Sequence, residues 1–240
     1  MTVAPDRFAT MMQFLFLQGT APGEPIDLEV TRLQDGKRFS SRRVRGTQSG
    51  GRIVFEAQFS FAIPSFAPEH TTPNTAPESR PESLPSLIDL PVASRRGLGL
   101  LGSYSPDEKP CIDFRIPQIE RQLSPDLSET SFRFWLKARQ PLPANPRVHA
   151  AAFAYLSDWW LNFSSLGAHM SELDDERPLY ISSLNHCVWF HRPFAADQWV
   201  HFHSESPCAA EGRGLSTARI HDLAGRLVAS ATQECLMAFA

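Results

Sequence analysis

RVHAAAFAYLSDWWLNFSSL, residues 147–166, is the stretch on which the fold turns. Prolines 141, 143 and 146 break the chain just before it. Within it Val148, Ala151, Ala152, Tyr155, Trp159 and Leu166 recur at a helical period, so one helix is expected from about Arg147 to Leu166, with that stripe buried. Strand signals flank it. Thr130 to Lys137 alternates Phe132, Phe134 and Leu136 against Arg133, Trp135 and Lys137, and Cys111 to Ile116 is a shorter candidate. After the helix, Leu184–Phe190, Trp199–Ser204, Leu215–His221 and Arg226–Phe239 read as strands, with Asp222 to Gly225 turning between the last two.

Further out, residues 1–63 also read as β. Phe14 to Leu17 is a short apolar run, better read as a core strand than as a signal segment because no basic region precedes it. Ile26, Leu28 and Val30 share one face of a strand, Asp35-Gly36 marks a hairpin, and Phe39 to Val44 resumes. Gly50-Gly51 turns the chain again, and Ile53, Phe55, Ala57, Phe59 and Phe61 alternate up to Ile63. An antiparallel meander with one buried face follows. Residues 64–110 are proline-rich and read as a connector that joins two units or covers a surface. Residues 111–240 form the second unit. The whole is α+β, an antiparallel curved sheet wrapping a central helix, which is the hotdog arrangement.

Composition narrows the function. The 240 residues are 42% hydrophobic and 20% charged with a net charge of −3, so a real core is available and nucleic acid is not an expected partner. Arg42, Arg43 and Arg45 make a small basic cluster, read as the solvated face of a strand, with contact to a phosphorylated ligand as the sharper alternative. No apolar run is long enough for a membrane span. Cys111, Cys187, Cys208 and Cys235 have no CxxC spacing, which favours a reducing, cytoplasmic setting and suggests no zinc site. His186 with His191, and His201 with His203, lack a matching carboxylate, so no metal and no cofactor is expected. No GxSxG elbow occurs.

Three polar residues remain. Asp158 lies about 60° from Tyr155 around the helix, at the edge of the stripe, where burial would make its carboxylate a stronger base. Asn162 lies on the same side. The plain alternative for Asp158 is a solvent-boundary residue in the helix's first half, favoured by the dipole. Ser183 opens a strand, where serine is ordinarily a turn former. Gln233 sits inside the last strand, where a polar residue ordinarily faces water.

A resemblance reweights them. SLNHCVWFHRPFAADQWVHFHSESPCAAEGRGLSTARIHDLAGRLVASATQE, from Ser183, resembles the C-terminal part of type II acyl-CoA thioesterases, whose run is a hydroxyl residue, IDH, WFHRPF, an ES…RG segment and DG.L.AS..QE. LQDGKRFSSRRVRGTQSGGRIVFEAQFSF, from Leu33, resembles the end of that family's first repeat. The likeness covers about residues 12 to 70 and 111 to 240. It implies a double hotdog, two repeats in one chain, and a water-activating group at Asp158, Ser183 and Gln233. Asn185, His186, Trp159 and Arg213 are the expected substrate-binding residues. The implied substrate is an acyl-CoA or related thioester. The early strands and the helix of the first repeat have no counterpart, so the N-terminal hotdog reads as incomplete, and Asn185 replaces the Asp of IDH. A half-sheet left exposed needs a partner, hence an expected homo-oligomer. Two other readings stand beside hydrolysis. One is a repurposed hotdog dehydratase, cyclase or isomerase acting on a polyketide-like or acyl substrate; the other is a non-catalytic binding subunit.

Overall fold

The computed structural model describes residues 2–72, 79–90, 110–124, 129–173 and 179–239. Its strands are β1 (Phe8–Phe16), β2 (Asp27–Asp35), β3 (Phe39–Gln48), β4 (Arg52–Ala62), β5 (Ile112–Arg115), β6 (Ser131–Ala138), β7 (Leu179–Phe190), β8 (Val200–Ala210), β9 (Arg213–Asp222) and β10 (Leu227–Phe239). Helices are α1 (Ile119–Gln122), α2 (Pro146–Asp158) and α3 (Phe163–Leu166). All ten strands join one sheet in the order β2-β3-β4-β1-β7-β10-β9-β8-β6-β5. Every pairing is antiparallel. The N-terminal four strands and the C-terminal six meet where β1 pairs β7, with Phe14 opposite His186.

Helix α2 touches both β1 and β6, between which β7, β10, β9 and β8 intervene. Strands lie about 4.8 Å apart, so a flat sheet would hold β1 and β6 some 24 Å from one another, about twice the width of a helix. The sheet therefore curls around α2. This is the expected hotdog wrap. The core between them is aromatic: Phe132 and Phe163 have ring centroids 4.4 Å apart, Phe134 and Phe202 4.6 Å, and Phe114 and Trp160 4.7 Å. All are buried, each contributing about 1.5–3 kcal/mol.

The helix departs from the sequence expectation in two ways. It ends at Asp158 and restarts as α3, rather than running on to Leu166. Its buried face carries Phe153, Leu156, Ser157 and Trp160, while Tyr155 is 51% exposed. Burying Phe153, Leu156 and Trp160 removes more apolar area from water than burying Ala151, Ala152 and Tyr155 would, which sets the rotation. Asp158 thus lies in the last turn, where the dipole does not favour a carboxylate, and not in the first half.

In the N-terminal half the alternation holds, with Phe55, Ala57, Phe59 and Phe61 on the face toward α2 and Arg43, Arg45, Glu56 and Gln58 on the other. The hairpin at Asp35-Gly36 forms, closed by the Gly36 N–H donating to Phe39 O at 2.9 Å. The expected burial of β2 fails: Leu28 is 62% and Val30 43% exposed, because among the described residues no helix covers this part of the sheet. The arginine cluster divides. Arg43 and Arg45 flank Glu56 on the outer face, whereas Arg42 is buried and donates to Asp35 Oδ1 at 2.7 Å and to the carbonyls of Gln34 and Ser41. Arg42 is a structural clasp, so it is neither solvated nor available to a phosphate.

Residues 79–90 cover the outer face of β5 and β6. Trp135 Nε1 donates to Ser79 O at 3.2 Å, Arg115 to the carbonyls of Pro81 and Leu84, and Ser86 to Asp113 at 3.1 Å. This cover is why Trp135 is buried although its alternation points it away from the helix. Within the proline-rich stretch, residues 73–78 and 91–109 lie outside the described residues.

Candidate active site

Strand β7 starts at Leu179, five residues before Leu184, so Ser183 is inside the strand and not a turn former at its start. A register shift does the rest. Glu234 faces Asn185 while the next residue, Cys235, faces Ser183, which leaves Leu184 as an extra residue. Ser183 and His186 are three apart and would point to opposite faces of a regular strand. The bulge turns both toward the helix.

Opposite them, Gln233 pairs with His186 and is 0% exposed. The expectation that it faces water is wrong. Ala229, Ala231 and Cys235 share its parity and are buried with it, a signal present in the sequence. Its amide nitrogen donates to Asp158 Oδ1 and, at 2.7 Å, to Ser183 Oγ. The opposite amide orientation would set its oxygen against the carboxylate, so the assignment follows from charge. Asp158, Ser183 and Gln233 are therefore brought together by one amide.

Sequence reasoning missed most of what surrounds them. A polar layer crosses the otherwise aromatic core where α2 gives way to α3. Ser157, Asn162, Ser164, Ser165, His186 and Ser216 are all buried there. Asn162 Nδ2 donates to Ser183 Oγ at 3.3 Å, and Ser216 Oγ meets those of Ser164 and Ser165 at 2.9 and 2.8 Å. A Cβ on Gly214 would sit 2.7 Å from Ser165 Cβ, so glycine at this point of β9 lets α3 come down onto the strand. Buried polar groups cost stability unless paired, and here each helix hydroxyl finds a sheet or backbone partner.

His186 is held neutral. Ser157 Oγ donates to Ala154 O, so it accepts from His186 Nε2 at 2.9 Å, and His186 Nδ1 has no partner among the described residues. Burial lowers its pKa from 6.5 to about 4. Trp159 packs edge-on against Phe114 and Trp160 at the helix end beside Asp158. Asn185 and Arg213 are not part of this cluster. They meet on the sheet's other face through Glu234, which accepts from Asn185 at 3.3 Å and pairs with Arg213 at 3.4 Å. Among the described residues no group of three or more His, Cys, Asp or Glu is placed to hold a metal ion.

An acyl-CoA thioesterase C-terminal domain model matches residues 70–237, and an acyl-CoA thioesterase N-terminal domain model matches residues 1–62. The chain belongs to the acyl-CoA thioesterase family. Its fold is that of an acyl-CoA thioesterase II from Mycobacterium marinum, at TM-score 0.81 and 30% identity over 100% of this chain and 84% of that one. It is 29% identical to acyl-CoA thioesterase 2 of Haemophilus influenzae over 100% of this chain and 83% of that protein. With acyl-coenzyme A thioesterase 8 of Mus musculus it shares 28% over 97% of this chain and 74% of the relative. The family is one of thioester hydrolases, type II in the sequence-based expectation. Among the described residues no helix is long and apolar enough to cross a membrane.

Proposed function

We propose that this chain hydrolyses a fatty-acyl-CoA to the free acid and CoA by direct attack of water, with Asp158 as general base. The observation that carries the reading is the single Gln233 amide spanning Asp158 and Ser183. A thioester needs no covalent nucleophile: its carbonyl has little resonance stabilisation and thiolate leaves readily. Water oxygen bonds to the carbonyl carbon as its proton passes to Asp158. The tetrahedral oxyanion then reforms the carbonyl, the C–S bond breaks, and Asp158 returns the proton to the departing sulfur. Gln233 has two amide hydrogens and commits both, so it positions the base and the hydroxyl and is not the oxyanion donor.

The acyl chain has a place to lie. A cavity of about 270 Å³ runs between α2 and the N-terminal half-sheet, walled by Ala150, Ala151 and Ala154 on one side and Met12, Phe59 and Phe61 on the other. Asp158, Ser183 and Gln233 do not line it. Ala154 is four residues before Asp158, one helical turn or about 6 Å, so the cavity points along the same side of the helix toward the carboxylate.

The uncovered face of β2, with Leu28 and Val30 exposed along an open edge, fits a second copy of the chain related by a two-fold axis. The free thiols of Cys111, Cys187, Cys208 and Cys235 fit a cytoplasmic setting.

Thiol release from a panel of acyl-CoAs tests the reading. Wild type is expected to release CoA, and Asp158→Ala to lose the release. Undiminished turnover by Asp158→Ala would falsify the assignment, and a wild type inert on every chain length removes the function.

A further inference from the structure

We infer that Asn162 is a positioning residue for the hydrolytic site, the group that fixes which way the Ser183 hydroxyl points. The inference rests on the reading above. Asn162 immediately precedes α3, at the position where asparagine normally turns its side chain back to cap the helix. It makes no such cap. Its amide nitrogen reaches across to Ser183 Oγ at 3.3 Å, and the residue is only 3% exposed.

The consequence follows from counting lone pairs. A serine oxygen has two, and one proton. Gln233 Nε2 occupies one lone pair at 2.7 Å and Asn162 Nδ2 the other. The Ser183 proton is therefore left to the third direction, where it is a donor. With Gln233 alone, the hydroxyl keeps a second choice and can present a lone pair to the incoming group. Asn162 removes that choice. Ser183 then donates to the thioester carbonyl oxygen as negative charge grows on it, the part that Gln233 cannot play. A serine needs such a clamp more than a threonine does, because no methyl group restricts its χ1.

The test is a mutant cycle read by steady-state kinetics on an acyl-CoA that wild type hydrolyses. Asn162→Ala is expected to lower kcat about tenfold, the worth of one hydrogen bond made in the transition state, with KM unchanged. Asn162→Asp keeps the volume but presents an acceptor to Ser183, drawing the proton back, and is expected to lower kcat further. Ser183→Thr placed in the Asn162→Ala background is expected to restore most of the lost kcat, because branching at Cβ holds the hydroxyl by sterics instead. A filled cavity or a general repair of packing would not produce that selective rescue. The inference is overturned if Asn162→Ala turns over like wild type, if its loss appears in KM alone, or if Ser183→Thr brings no recovery. Failure of wild type to release CoA would instead remove the hydrolytic reading itself.

Discussion

The two halves of the sheet use the same strand chemistry and reach different ends. The C-terminal six strands close around α2 and bury their inward side chains, aromatic over most of the surface and polar where α2 meets α3. The N-terminal four turn Phe55, Ala57, Phe59 and Phe61 inward beside the buried Arg42 and Ser40, yet among the described residues they have no helix of their own, and Leu28 and Val30 remain exposed. Alternation makes a face; whether the face becomes a core depends on what lies over it. On the proposed reading, the half with a lid supplies the chemistry, and the half without one supplies a wall of the acyl cavity.

Asp158→Ala is the largest expected break in this division of labour, a fall in kcat of about 10³ with the fold intact, checked by thiol release and circular dichroism. Core truncation should separate the halves next. Phe134→Ala is expected to cost about 4 kcal/mol in urea denaturation, against less than about 0.5 kcal/mol for Leu28→Ala. The polar layer adds a pH dependence confined to the C-terminal half. Burial lowers the His186 pKa from 6.5 to about 4, so the unfolded chain binds a proton that the folded chain refuses between those values. The His186 contribution is complete above pH 6.5 and declines as pH falls toward 4, by about 3 kcal/mol, and buried His201, lowered to about 3, adds to the same slope. His186→Gln should flatten this part of the curve, and an unchanged slope would remove His186 as its source. Ala154→Phe tests the wall between the halves: turnover of long acyl chains is expected to fall about tenfold while acetyl-CoA is spared. Val30→Lys should alter monomer stability least, while sedimentation at micromolar concentration shifts from dimer to monomer. A wild-type monomer under the same conditions defeats the assembly proposal.

Strand periodicity was legible wherever one face is buried. Phe132, Phe134 and Leu136 announce β6, and Asp35-Gly36 and Asp222 to Gly225 announce their turns. The rotation of α2 was not legible. Alanines satisfy a helical stripe without saying which side packs, and here Ala150, Ala151 and Ala154 face a cavity while Phe153, Leu156 and Trp160 take the core. Ser183 depends on a bulge at Leu184 that no residue type advertises. Its place in the site came from motif likeness, and only the register shows how it reaches Gln233. Asn185 and Arg213, implied by the same likeness, fall on the far face for the converse reason: Asn185 lies on the other side of that bulge, and Arg213 alternates with Gly214, which points inward.

The pairing of β1 with β7 also bears on synthesis. Met11 must find Trp189, so one edge of β1 waits for a strand made much later to emerge. At ribosomal speeds of about 5–20 residues per second the wait is on the order of ten seconds. During that time β1 is covered on one side by β4 and bare on the other, flanked by Phe14 and Phe16. A nascent chain in this state offers an apolar strand edge to chaperones and to its neighbours on the same messenger. The join between the halves thus stays open to aggregation until β7 emerges.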